Sequence, residues 1–329
     1  MSTIGVVTAS VVVVAVLFAM LSVIVAHLFT TPKRVQPLAP PAHIAPTYER
    51  VAFTARSDVL RLAAWYRRTD DARGAVILVH GRDGCRGDEL RGTTIDLVTA
   101  IASHGLSVLL IDLRGHGESA AGRLTFGLRE SRDVLGAVDF LLQRGYAPAR
   151  IGVLGASMGG ASAIAAAAEE PAIGALVTDS AFASLEEVLR AQFSRLTHLP
   201  SFFLRGALVA ARLLTGEHLL SRPPAVNMRR LQHRPTLVIH AAHDPFVPVH
   251  HAHALRRASS GAIWITPGDR HLASFGVAGR EYIDVVADFF GRHIAHAAAR
   301  PAVSAPAVLD GRIAQLVQHP PLVAAAALG

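Results

Sequence analysis

The sequence predicts a doubly wound α/β domain: a mostly parallel sheet with an antiparallel N-terminal edge and a helical cap insertion, preceded by one transmembrane helix. Three observations carry that expectation. Apolar, β-branched runs alternate with helix-periodic stretches from about residue 49 to 294, and strands apolar on both faces belong in a parallel sheet covered by helices. Two runs at 49–55 and 60–67 have hairpin spacing around Arg56-Ser57-Asp58 and supply the antiparallel strands. Residues 4–29 contain no acid, lysine or arginine, and a helix needs only ~20 residues to cross the hydrocarbon layer.

The N-terminal run is interrupted only by Gly5, Thr8, Ser10, Ser22 and His27. A cleavable signal peptide is the competing interpretation. Against it, Met1-Ser2-Thr3 carries no basic side chain and the run exceeds the usual ~7–15 apolar residues. Residues 1–30 are therefore expected to be an uncleaved single-pass anchor. Lys33 and Arg34 follow it, which places the bulk of the chain on the cytoplasmic side by the positive-inside rule. Residues 31–47 hold Pro32, Pro37, Pro40, Pro41 and Pro46, a stiff spacer expected to hold the domain off the bilayer.

In the domain, residues 48–296, six further strands are expected at 74–80, 106–112, 150–155, 172–178, 235–240 and 262–266. Helices are expected at 88–103, 126–144, 158–169, 249–258 and 279–293. Residues 181–231 are an insertion before the next strand, with a strongly apolar stretch at 199–214 that reads as a cap helix lying over the site or, equally, as a helix packed on its own domain. Arg205 and Arg212 fall on one of its faces. Residues 297–329 form an alanine- and proline-rich tail, loosely attached, in which 309–317 can make a short helix.

Composition narrows the function. Apolar residues make up 51% and charged residues 17%, with mean hydropathy +0.37, which excludes a disordered, solvated chain. A single cysteine, Cys85, excludes an intramolecular disulfide and any multi-cysteine metal site. The net charge of +7 invites a nucleic-acid partner, but the basic residues, all arginine except Lys33, are interleaved with acids, as in Arg129-Glu130-Ser131-Arg132-Asp133. Binding a polyphosphate needs a contiguous basic face, so no nucleic acid is expected.

The sharpest local signal is Gly155-Ala156-Ser157-Met158-Gly159-Gly160, between a predicted strand and a predicted helix. Small residues on either side of Ser157 permit a sharp strand-to-helix turn that lifts the hydroxyl above the sheet at a helix N-terminus. A serine hydroxyl needs a base to become a nucleophile. His271 and Asp244 each lie directly after a predicted strand, at the same carboxyl edge as Ser157. The order Ser, Asp, His is the one this architecture uses. Asp179, also after a strand, competes for the acid position; Asp269 is too close in sequence to His271 to orient its ring. An oxyanion needs at least two donors, expected from the backbone N–H groups of Met158 and of Arg82, the latter in the turn after His80-Gly81. The Arg82 side chain can meet an anionic substrate group or pair with Asp83 or Asp88. His250 and His253 share a helix face but have no carboxylate or cysteine at useful spacing, so a solvated helix turn is expected and no metal. His243 is expected to be structural.

These segments together resemble the α/β-hydrolase family across roughly residues 48–296. His80-Gly81-Arg82-Asp83-Gly84, Asp112-Leu113-Arg114-Gly115-His116-Gly117-Glu118-Ser119, the Ser157 turn, Asp244 before Val247-Pro248, and Pro267-Gly268-Asp269-Arg270-His271 occur in the family's order. The chain is most similar to the branch shared by prolyl-oligopeptidase-like and membrane-anchored serine hydrolases, some of which cleave acyl thioesters. Asp269-Arg270 departs from the small residues usual before the histidine and places charge beside it. The resemblance implies His271 as base, a structural role for the Asp112–Ser119 turn, and neither metal nor organic cofactor. The expected function is a membrane-anchored serine hydrolase that cleaves an ester, thioester or small amide of a small-molecule acyl substrate through an acyl-enzyme on Ser157. The alternatives are a non-hydrolytic membrane-tethered scaffold and an acyltransferase using the same residues.

Overall fold

The computed structural model describes residues 2–37, 45–87 and 94–295. Eight strands form one sheet: β1 (Glu49–Thr54), β2 (Arg61–Arg67), β3 (Gly74–Val79), β4 (Leu106–Ile111), β5 (Ile151–Ala156), β6 (Ile173–Asp179), β7 (Thr236–Ala241) and β8 (Ala262–Thr266). Their spatial order is β1-β2-β4-β3-β5-β6-β7-β8. β1 pairs with β2, and β2 with β4, in antiparallel register; every later pairing is parallel. This is the expected doubly wound sheet with its antiparallel start. Every residue of β3, β4, β5, β6 and β7 is buried, which is why these strands read as unbroken apolar runs.

The helices are α1 (Thr3–Thr30), α2 (Thr94–Ser103), α3 (Glu130–Gln143), α4 (Met158–Glu169), α5 (Leu185–Thr197), α6 (Phe203–Thr215), α7 (Pro224–Met228), α8 (His250–Ser259), α9 (Ser274–Ala278) and α10 (Arg280–Phe290). One apolar layer joins Val79, Ile111 and Val153 of the sheet to Val134 and Val138 of α3, Ile164 of α4 and Leu255 of α8. The opposite layer joins Val76, Leu110 and Ile239 to Leu97 of α2 and to Tyr282, Val286 and Phe290 of α10. A π-helical turn, Gly291–Ala295, follows α10, where the predicted helix ran on unbroken. Residues 88–93 of the predicted 88–103 helix, part of the proline-rich segment and the 297–329 tail lie outside the described residues.

Three expectations are corrected, in the insertion and at the N-terminal side. The insertion after β6 holds α5 as well as the expected α6. Moreover, α6 packs against the C-terminal part of α1: Phe18 stacks on Phe203 with centroids 4.9 Å apart, and a Cβ on Gly206 would lie 2.2 Å from Ser22 Oγ. The start of the proline-rich segment is not a free spacer either. Leu124 donates its N–H to the Thr30 carbonyl at 2.7 Å, and Lys33 N–H donates to Asp83 Oδ1 at 2.8 Å. Arg34 donates to the carbonyls of Gly117 and Ser119 at 3.3 and 2.9 Å. Two backbone carbonyls of the buried 112–119 turn thus take up the arginine and strap the segment down.

Candidate active site

The turn from β5 to α4 sets the geometry. Ser157 has φ 50° and ψ −114°, a region L-residues avoid. The neighbours make that turn possible. A Cβ on Gly155 would lie 2.4 Å from the Gly159 carbonyl oxygen, and one on Gly159 would lie 2.4 Å from the carbonyl oxygens of Val79 and His80. Glycine at 159 therefore lets the first turn of α4 rest directly on the end of β3. The Ser157 N–H donates to the Asp179 carbonyl at 2.8 Å, fixing the elbow to β6.

The structure brings the three expected side chains into one line. Ser157 Oγ lies 2.8 Å from His271 Nε2, and His271 Nδ1 lies 2.7 Å from Asp244 Oδ2. The Asp244 side chain is fully buried, while that of His271 is 21% exposed. Burial pushes the Asp244 carboxyl up, but the His271 hydrogen bond and the N–H groups of Val247 and Phe246 outweigh it and leave the group below its ordinary value. The carboxylate is thus ionised and held at both oxygens. An imidazole whose Nδ1–H donates to it leaves Nε2 free to accept from the serine.

Asp179, the competing acid, is turned elsewhere. Ser180 Oγ donates to its Oδ1 at 2.9 Å and Tyr282 Oη to its Oδ2 at 3.0 Å. Burial pushes its carboxyl up to about 6. Asp269 and Arg270 are exposed, as is His243.

Arg82 and Met158, the two expected backbone donors, line the same cavity as Ser157. The Arg82 turn is pinned from below by His80, whose Nδ1 donates to the Gly81 carbonyl at 2.7 Å and whose Nε2 accepts the Leu113 N–H at 3.0 Å. Burial depresses the His80 pKa to about 3, so the ring is neutral and this tautomer is kept. The Arg82 side chain lies 3.5 Å from Asp83 Oδ2 and donates to the Leu28 carbonyl of α1 at 3.2 Å. The Asp83 pairing weighed for it is present, with an unexpected second partner on α1.

The Asp112–Ser119 turn is structural, as implied. Arg86, buried, bonds Asp112 and Glu118 and stacks over Trp65 at 4.9 Å. Arg114 pairs with buried Asp133 at 2.6 Å and with Asp58 at 3.0 Å. Cys85 beside it is completely buried.

The cavity over Ser157 has a volume of about 510 Å³ counting its open mouth. Its lining is apolar except for Ser157, Arg82 and Gln192. Leu185, Val188, Leu189, Gln192 and Leu196 of α5 contribute, together with the rings of Phe29, Phe126, Phe182 and Phe246. The ceiling is thus α5, not the α6 helix that the sequence suggested. Gln192 ties it down by donating to the Pro245 and Phe246 carbonyls at 2.8 and 3.1 Å. The sequence held a signal for α5. Ser184 and Glu187 have capping-box spacing, and Ser184 Oγ does accept the Glu187 N–H at 3.3 Å.

Among the described residues one group has metal-ligand types close together: Glu187, His250 and His251, with ligand atoms within 4.8 Å. The carboxylate that sequence spacing did not reveal comes from α5. The His251 Nδ1 that faces it already accepts the Ala183 N–H at 3.3 Å, and His250 donates to or accepts from Glu187 at the surface, 3.3 Å away. These contacts describe a hydrogen-bonded seam between α5 and α8.

The sheet order, the elbow and the residues gathered above it define a class. The chain belongs to the α/β-hydrolase family. A family model described as "Serine aminopeptidase, S33" matches residues 70–227. An uncharacterized Mycobacterium tuberculosis protein, Rv2307c, is 33% identical over 236 residues, covering 70% of this chain and 75% of that one. The uncharacterized Bacillus subtilis protein YqkD is 27% identical over 190 residues, 56% of this chain and 62% of its own length. Among solved structures, the Pyrococcus furiosus esterase Pf2001 superposes with TM-score 0.66 at 22% identity, over 80% of this chain and 99% of that one. The esterase domain of a Rhodothermus marinus protein gives 0.55 at 21% identity, over 75% and 99%. These two likenesses concern the fold.

Proposed function

We propose that the protein is a serine hydrolase, anchored in a membrane by α1, that cleaves an ester, thioester or small amide with an apolar acyl group. The observation that carries this is the unbroken line from Asp244 through His271 to Ser157, opening into an apolar cavity. His271 Nε2 takes the Ser157 proton as Oγ bonds to the acyl carbon. The carbonyl oxygen becomes an oxyanion that accepts the backbone N–H groups of Arg82 and Met158. Collapse breaks the bond to the leaving group, which receives the proton from Nε2. Water then gives a proton to Nε2 and attacks the acyl carbon. The acid departs as Oγ recovers its hydrogen. Asp244 holds the imidazole in its tautomer and stabilises the imidazolium.

Support for the anchor comes from α1, which has 28 residues and a mean hydropathy of 2.9 in its most apolar window. Lys33 and Arg34 at its end favour a cytoplasmic catalytic domain. A fluorophosphonate probe tests the enzyme assignment. Wild-type protein should be labelled and Ser157→Ala should not. Absence of labelling in folded wild-type protein would instead support a binding scaffold. Products formed with added alcohols or thiols would separate hydrolysis from acyl transfer.

A further inference from the structure

We infer that α1 is a wall of the acyl cavity as well as an anchor, that Phe29 sets which acyl chains fit, and that the substrate is a long-chain acyl amphiphile drawn from the bilayer. This rests on the serine hydrolase assignment and adds the substrate class. Phe29, in the last turn of α1, lines the cavity together with Ser157. Its ring meets Phe193 of α5 edge-on, centroids 6.2 Å apart, and the Arg82 guanidinium lies 6.0 Å from its centroid. The same guanidinium donates to the Leu28 carbonyl, so the end of α1 and the turn expected to bind the oxyanion are joined directly.

The approach from the membrane is also built. Contacts advance together along α1 and α6, from Phe18 with Phe202 and Phe203 to Ser22 with Gly206, so the two helices run in the same direction. Before Phe18, α1 is free of the domain; Val11 to Val14 are each more than half exposed. The Phe18–Phe202–Phe203 stack therefore marks where the free part of α1 meets the domain. From there to Phe29 is roughly 16 Å of helix, the reach of a long acyl chain rather than of an acetyl group. An open groove between α5 and α6 starts at Phe202 and has Leu204, Leu208 and Leu189 in its lining. Leu189 also lines the catalytic cavity and is the shared partition between them. Glu186 and Arg190, which line the groove, pair with each other at 2.6 Å; Arg205, also in its lining, is the cation that would hold an anionic headgroup by charge.

The test is the acyl-length profile of the full-length protein in mixed micelles, read as kcat/KM for p-nitrophenyl esters from acetate to hexadecanoate. Wild type should favour dodecanoate over acetate. Phe29→Trp, which narrows the cavity, should lower the dodecanoate-to-acetate ratio at least 10-fold. Gly206→Leu, which wedges α1 away from α6 without entering the cavity, should lower the ratio similarly while fluorophosphonate labelling of Ser157 persists. A wild-type preference for acetate, or a wild-type profile in both variants, would overturn the role of α1. In that case Ser157 labelling would leave the hydrolase assignment standing. No labelling and no ester turnover in wild type would overturn both.

Discussion

At the scale of single residues, the proposed catalysis rests on a serine held where side chains are rarely found. Ser157 sits at φ 50°, and from that backbone its hydroxyl reaches His271. Ser157→Ala is expected to lower ester turnover by ~10⁴-fold or more with the fold intact, measured as kcat beside a far-ultraviolet spectrum. Asp244→Asn should cost about 10⁴-fold in kcat, because the amide reverses the donor at Nδ1 and leaves Nε2 protonated toward the serine. Asp179 tests a different property. Its carboxyl is raised by burial to about 6 from an ordinary 3.8. The stability it contributes is therefore complete below the unfolded value and lost as pH rises through about 6, by roughly 3 kcal/mol at most. Asp179→Asn keeps a neutral side chain between Ser180 and Tyr282. Between pH 5 and pH 8 the unfolding temperature of wild type should fall relative to that of this variant, and parallel pH curves would refute the assignment.

At the scale of elements, the contact between α4 and β3 positions the site. Adding a methyl group at Gly159 would drive a carbon against two backbone carbonyls, so Gly159→Ala should cost about 1–3 kcal/mol or more in urea unfolding. It should also lower activity, since Met158 moves with the helix. The strands and α4 were legible because they are apolar on both faces or bounded by glycine, and because the elbow has a fixed spacing. Asp244 over Asp179 was legible only as a preference; the structure puts His271 on Asp244, while Tyr282, from a helix more than a hundred positions along the chain, takes Asp179. The α5 ceiling was missed because its buried Leu185, Val188 and Leu189 are diluted by Glu186, Glu187 and Arg190. Its capping box was nonetheless present. The pairing of α1 with α6 had no comparable signal. Two apolar helices reveal nothing of their partner, and Gly206 and Ser22 read as ordinary small residues until placed face to face.

At the scale of the whole molecule, the domain is not merely attached to the proposed anchor helix; the end of that helix is part of its packing. Val25 and Ala26 share an apolar cluster with Phe182, Leu185 and Phe193. Membranes carrying the full-length protein should retain it through high salt and an alkaline carbonate wash, and release it only with detergent; release by salt alone would exclude insertion. The direction of insertion can be settled by chemistry because of the burial of Cys85. With its one native thiol fully enclosed, the molecule presents a surface blank to maleimides. A cysteine introduced at Ser2, or at exposed Val59 on the far side of the strap, would be the sole reactive handle in intact cells or vesicles, and its modification by an impermeant reagent would report which compartment each end of the protein faces.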